Sequence, residues 1–146
     1  MIAVDTSILV YASHRDSPWH DAAGKQLTGL AESGASWAIP WPCVHEFLSI
    51  VTNPRIYRPP MPLSDALTQV ESWMACPTLH LLGESAGYWP RLRALMESGK
   101  VAGGLTHDAR IAAICIHHGV DTLRSADRDF SRFRGLKVRN PLTDDR

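Results

Sequence analysis

The sequence predicts an α/β domain with a central parallel sheet of about four to five strands and helices on both faces. Short segments rich in apolar or β-branched residues recur at 1–4, 36–39, 78–82 and 120–124, which suits strands. Longer stretches between them repeat apolar residues three and four positions apart, as amphipathic helices do. Proline or glycine marks most of the joins, at Gly34, Pro40, Pro77 and Gly119, where a chain changes conformation. With 146 residues, 45% apolar and 21% charged, the chain is expected to form one domain over residues 1–146.

Met1 to Val4 reads as a strand ending at Asp5. Thr6 to Ala12 follows as a helix with Thr6 or Ser7 as its cap. Ser17-Pro18 opens a second helix, serine as N-cap and proline in the first turn, and Gly34 ends it. Ser36 to Ile39 is the next strand, with a helix from about Pro42 to Thr52 beyond it. Asn53 to Pro62 reads as an ordered, proline-rich loop bearing Arg55, Tyr57 and Arg58. Ser64 caps a helix to about Ala75, and Thr78 to Leu82 forms a strand. Glu84 to Ser98 is helical with a disturbance at Pro90, where a backbone donor is missing. Gly103-Gly104 lies in a connector. Thr106 to His118 is a helix stopped by Gly119, Val120 to Arg124 a strand, and Lys137 to Arg139 a last short strand.

Composition excludes several classes. Apolar runs such as Ile8 to Ala12 are far short of the ~18 residues of a membrane span. Three scattered cysteines (Cys43, Cys76, Cys115) form no disulfide framework and suit a reducing cytoplasm. The seven histidines show no zinc spacing. Fifteen basic against fifteen acidic residues leave no net charge to attract a polyanion. Local arrangement differs: residues 105–146 hold eight basic and six acidic residues.

The carboxylates are more informative. Ligands of an open parallel sheet bind beyond the carboxyl ends of its strands. Asp5 follows the first strand, Asp127 follows the 120–124 strand, and Glu46 and Asp108 fall early in helices that start at that same edge. Topology thus gathers four acids from distant segments. Asp5 and Asp108 also suit the positive end of their own helices, whereas Glu46 lies off the apolar stripe of Val44, Phe47, Leu48 and Val51. Two like charges about 6 Å apart repel by roughly 3 kcal/mol at an effective dielectric near 20. An all-oxygen set under that repulsion suits a hard divalent ion, Mg²⁺ or Mn²⁺, and acids holding such an ion in a cleft suit phosphodiester hydrolysis.

The segments IAVDTSILVYA, CVHEFLSIV and HDARIAAICIHHGVDTLRSADRDF resemble the PIN-domain ribonucleases, and within them the VapC-type toxins of bacterial toxin–antitoxin pairs, from Ile2 to Phe130. The resemblance implies a three-layer PIN-like domain whose catalytic acids are Asp5, Glu46, Asp108 and Asp127. Asp5 and Asp108 hold the metal most directly, completed by Asp127 and Glu46. It implies supporting places for Thr6, Ser7, Ser125 and Asp129. The implied reaction is endonucleolytic hydrolysis of structured RNA, at transfer or ribosomal RNA loops, by a metal-activated water. The implied partners are a cognate antitoxin, whose tail sets a basic side chain among the acids, and a second copy in a homodimer; the implied location is the cytoplasm. RNA near four acids needs cations, and Arg55, Arg58, Arg128 and Arg132 are the expected backbone contacts, with Arg124 and Arg134 nearby. Tyr57, Trp41 and Trp19 are candidate base-stacking surfaces as well as candidate packing residues. Two other readings remain: a non-catalytic PIN-like binding module, and an acid-lined α/β phosphatase, which usually needs an acid where Ser7 stands.

Overall fold

The computed structural model describes residues 1–143. Five strands, β1 (Ile2–Val4), β2 (Trp37–Pro40), β3 (Leu79–Leu82), β4 (Thr122–Arg124) and β5 (Lys137–Arg139), form one sheet in the order β3-β2-β1-β4-β5. Every pairing is parallel, with Ile2 opposite Trp37 on one side and Thr122 on the other. The helices are α1 (Thr6–Ser13), α2 (His20–Glu32), α3 (Trp41–Val51), α4 (Leu63–Met74), α5 (Tyr88–Ser98) and α6 (Leu105–His117), with a 3₁₀ turn at Arg128–Arg132.

Sequence decides which strands are central. Ala3, Val4, Ala38, Ile39 and Leu123 are fully buried, as strands covered on both faces must be. β5 carries Lys137 and Arg139 outward at the edge, which discourages pairing with a further strand. From β1 the chain steps outward through β2 to β3, then returns to β4 on the other side of β1. Right-handed crossovers then place the helices before and after that return on opposite faces. The order reverses between β1 and β4, and a crevice opens at such a reversal.

The faces meet the sheet through one apolar cluster. Ala109 and Ile111 to Cys115 make α6 buried almost all round. Phe47 of α3 meets Trp73 of α4 edge to face, centroids 4.7 Å apart. Trp37 and Trp73 are buried in this cluster, whereas Trp19, Trp41 and Trp89 are exposed. The Cys43 and Cys115 thiols are buried, and all three cysteines are free. No helix among the described residues is long and apolar enough to cross a membrane.

Three helix starts differ from the sequence expectation. Ser17-Pro18 precedes α2 instead of opening it: the Ser17 hydroxyl accepts the Trp19 N–H at 3.1 Å, closing a turn, and α2 begins at His20. Ser64 lies inside α4, which starts at Leu63 after Pro62. Pro90 disturbs nothing, because α5 begins at Tyr88 after Gly87 in the left-handed region. Proline there sits in the first turn, where no amide has a helical partner to lose. At the far end of α6, Gly119 at φ +70° makes the expected stop.

Candidate active site

Asp5 is the first residue after β1, and its N–H donates to the Arg124 carbonyl at 3.0 Å, extending the β1–β4 ladder by one rung. Its side chain is only 4% exposed. One carboxylate oxygen, Oδ2, accepts from the Ser125 hydroxyl at 2.7 Å and the Ser7 hydroxyl at 3.1 Å. The other, Oδ1, faces the Cys43 thiol at 3.7 Å. Burial raises the Asp5 pKa, opposed by the Ser125 hydrogen bond and by the Thr6 amide and Ser7. Asp5 thus sits at the head of α1 and also in the crevice.

The two serines bind Asp5 to the segment after β4. Ser125 Oγ, while donating to Asp5, accepts the Asp127 N–H at 2.9 Å. Ser7 Oγ accepts the Ala126 N–H at 3.0 Å. Asp127 Oδ1 in turn accepts the Asp129 N–H at 2.9 Å and starts the 3₁₀ turn. Ser125→Ala removes a buried hydroxyl and leaves both an oxygen of Asp5 and an amide of Asp127 short of a partner. We expect a loss of about 1–3 kcal/mol of stability and of roughly 10- to 100-fold in the activity of the site. Thermal melts and initial rates check this, with Ser125→Thr retaining more of both.

Glu46 comes from the middle of α3, and the Thr6 hydroxyl donates to its Oε2 at 2.6 Å. Its pKa is raised by burial, held back by the Thr6 bond, raised again by Asp5 and lowered by nearby His107. Asp108 lies in the first turn of α6. Its pKa is pushed up to about 6, first by burial and then by Asp127, Asp5, Glu46 and Asp129. The structure therefore brings Asp5, Glu46, Asp108 and Asp127 into one electrostatic unit at the β1/β4 reversal. The tightest group is Asp108, Asp127 and Asp129, which offer one oxygen each within 4.8 Å of one another. Asp5 and Glu46 lie outside that trio but close enough to disfavour ionisation of Asp108.

Other residues fall elsewhere. Thr6 and Ser7 spend their hydroxyls on Glu46 and Asp5, so their work is to orient acids and not, as expected, to cap α1. Ser7 thereby fills the position where an acid-lined phosphatase needs its second acid. Arg128 and Arg132 are exposed on the turn that Asp127 starts. Arg55 and Arg58 lie on the loop beyond α3 and pair with none of the acids among the described residues. α3 carries the chain about 16 Å from its starting edge, and Tyr57 stacks on His14 at the far end of α1, centroids 3.6 Å apart. That contact makes Tyr57 a packing residue. Arg110 pairs with Glu84 and is not turned back to Asp5, and Arg124 donates to Gln26 at 2.6 Å. Sequence reading passed over two neighbours of the acids, Cys43 and His107. Cys43 stands three positions before Glu46, hence on the same side of α3, and burial keeps its thiol protonated as a donor.

A model of the PIN domain matches residues 2–136. The chain is 35% identical over 140 residues to ribonuclease VapC48 of Mycobacterium tuberculosis, covering 95% of this chain and 96% of that protein. It is 32% identical over 142 residues to ribonuclease VapC43 of the same organism, covering 97% and 96%. Among solved structures it is similar to VapBC2 of Rickettsia felis bound to a promoter DNA fragment, with TM-score 0.68, 23% identity and coverage of 96% and 98%. It is also similar to VapC20 of Mycobacterium tuberculosis, a sarcin–ricin loop cleaving toxin, with TM-score 0.65, 16% identity and coverage of 94% and 99%.

Proposed function

The chain belongs to the PIN domain family and, within it, to the VapC ribonucleases, and from that premise we propose a Mg²⁺- or Mn²⁺-dependent endoribonuclease, the toxin of a toxin–antitoxin pair. The observation that carries the reading is the convergence of five carboxylates on one crevice with no basic side chain paired to any of them among the described residues. The donor set fits a hard divalent cation. It is all carboxylate oxygen, without histidine or thiolate in the tight group. The elevated Asp108 pKa marks a cluster short of positive charge.

Asp108, Asp127 and Asp129 are the residues placed to hold the ion, with Asp5 beside them. Once bound, the ion supplies Lewis acidity at a phosphodiester and a more acidic water. The remaining work falls to the chain. Ser125 and Ser7 fix Asp5 and keep its negative charge directed. Thr6 orients Glu46 through Oε2, and the half-buried Glu46, with its raised pKa, is suited to accept a proton. Arg128 and Arg132 stand beside Asp127 to hold the phosphates that flank the cut. Substituting both by alanine is expected to raise KM and flatten the salt dependence of RNA binding by about one to two phosphate contacts, with little change in kcat.

The partners follow from the same reading: structured RNA as substrate, a second copy of the chain, and an antitoxin supplying a basic side chain to the acids. The free cysteines suit the cytoplasm. Incubating purified protein with total RNA, with Mg²⁺ or Mn²⁺ and then with chelator, tests the function. Discrete fragments bearing 5′ phosphates are expected with metal alone. Intact RNA under every metal condition, at protein concentrations that bind it, overturns the enzymatic reading in favour of a binding module.

A further inference from the structure

Next to the carboxylates lies a concavity of about 280 Å³ that shares a wall with them. Its walls come from the segment after β4 and from β5 with the residues that follow it: Asp127, Arg128, Ser131, Val138, Asn140 and Thr143. Because Asp127 lines it, a nucleoside beside a scissile phosphate at the acids comes within reach of this opening. The volume accommodates one base with its sugar and leaves no room for a paired partner, which matches the unpaired loops that proteins read in RNA.

Apart from Asp127, whose carboxylate belongs to the acid cluster, and the Thr143 hydroxyl, the polar groups of the lining are mainly donors. Asn140 Oδ1 already accepts the Leu142 N–H at 3.0 Å, which leaves its amide NH₂ as the outward group. The Ser131 hydroxyl and the Arg128 guanidinium have no partner among the described residues. Val138 provides an apolar surface for the flat of a ring. Three donors over an apolar wall select a base edge rich in acceptors, and guanine, with O6 and N7 side by side, is the base that arginine grips with two hydrogen bonds. Adenine presents a donor at the corresponding place and finds none of these three groups able to accept from it except the hydroxyl.

We propose that this cavity is a nucleoside subsite, in which Asn140, Ser131 and Arg128 bind an unpaired guanine flanking the scissile phosphate. The proposal rests on the ribonuclease reading and adds to it a base preference at one position. Asn140 and Ser131 are binding residues, outside the acid cluster.

The test uses short single-stranded RNA oligonucleotides carrying guanine, adenine or an abasic residue at each position flanking the cut. Cleavage is measured with the full-length protein, and binding by fluorescence anisotropy with the Asp5→Asn protein, which is expected to hold RNA without cutting it. Guanine at one flanking position should bind about tenfold more tightly than adenine or the abasic residue. Asn140→Ala should shrink that ratio toward one by raising KM for the guanine substrate, and Arg128→Ala should shrink it while also weakening the binding of all three oligonucleotides through its phosphate contact. Asn140→Asp, which replaces the donor with an acceptor at the same size, should reverse the preference. Equal binding of all three oligonucleotides, or an unchanged ratio in the Asn140 and Arg128 variants, overturns the proposal. Because anisotropy needs no turnover, that result is distinct from a failure to cleave, which would instead count against the nuclease.

Discussion

Asp5→Asn is expected to abolish RNA cleavage, by about 10³-fold or more, while leaving the fold intact. The loss on that scale follows from removing preorganised charge from a desolvated reaction site. The fold survives because asparagine has the same shape and its carbonyl oxygen still accepts from Ser125 and Ser7. Burial already disfavours the charged form of Asp5, so the neutral amide should stabilise the metal-free protein near neutral pH. A variant that is inactive and melts at or above the wild-type temperature is the expected pair of results. An inactive variant that also melts much lower would assign the loss to folding, and an active one would remove Asp5 from the chemistry.

The second large effect concerns the divalent ion. Chelation is expected to abolish cleavage and lower the melting temperature, and Mg²⁺ or Mn²⁺ to restore both. A ligand at about 100 times its Kd adds ~2.7 kcal/mol, or roughly 6–10 °C for a chain of this size. The pH dependence has a definite sign. Asp108 has a pKa of about 6 in the fold against 3.8 for an unperturbed side chain, so between those values the folded protein holds a proton that the unfolded chain has lost. Stability of the metal-free protein from this group therefore falls as pH rises from about 4 to about 6 and is fully lost above that. The ion binds the ionised carboxylates, so its stabilising effect must grow over the same interval. Melting curves at about pH 5 and about pH 7.5, each with and without metal, should show the larger metal-induced shift at the higher pH. Equal shifts would mean that the ion binds away from Asp108.

How far the sequence reveals such a site depends on the kind of information each residue carries. Asp5, Glu46, Asp108 and Asp127 could be placed at one edge because each has a fixed position relative to the end of a strand or the start of a helix, and parallel topology then leaves little freedom. Asp129 was harder. It sits in a short 3₁₀ turn, and no hydrophobic period betrays a turn whose shape is set by the Asp127 side chain capping it. Boundaries near Ser17 and Ser64 were misplaced because serine next to proline is equally suited to a turn and to a helix cap, and only tertiary packing selects between them. The roles of Thr6 and Ser7 were hidden for a related reason. A hydroxyl at the head of a helix has a local partner available, and its choice of Glu46 or Asp5 depends on residues 40 positions away or on a carboxylate already drawn inward. Arg55 and Arg58 were assigned to the RNA surface by charge alone. The loop that bears them follows α3, and its Tyr57 stacks on His14 at the end of α1.

The hydrogen bond from Ser125 to Asp5 joins residues 120 positions apart, and the strand that delivers Ser125 is the fourth of five along the chain. During translation Asp5 leaves the ribosome long before Ser125, Asp127 and Asp129 have been synthesised. A nascent chain therefore carries Asp5 without Ser125, the donor of the shorter of its two hydroxyl bonds, and without two of the three acids in the tightest group. Competence arises only when β4 docks against β1, one of the last long-range steps in assembling this sheet. Ribosome-bound chains arrested before Val120 should leave RNA uncut however much of α1 to α6 they have formed, so order of synthesis itself postpones the activity until the chain is nearly complete.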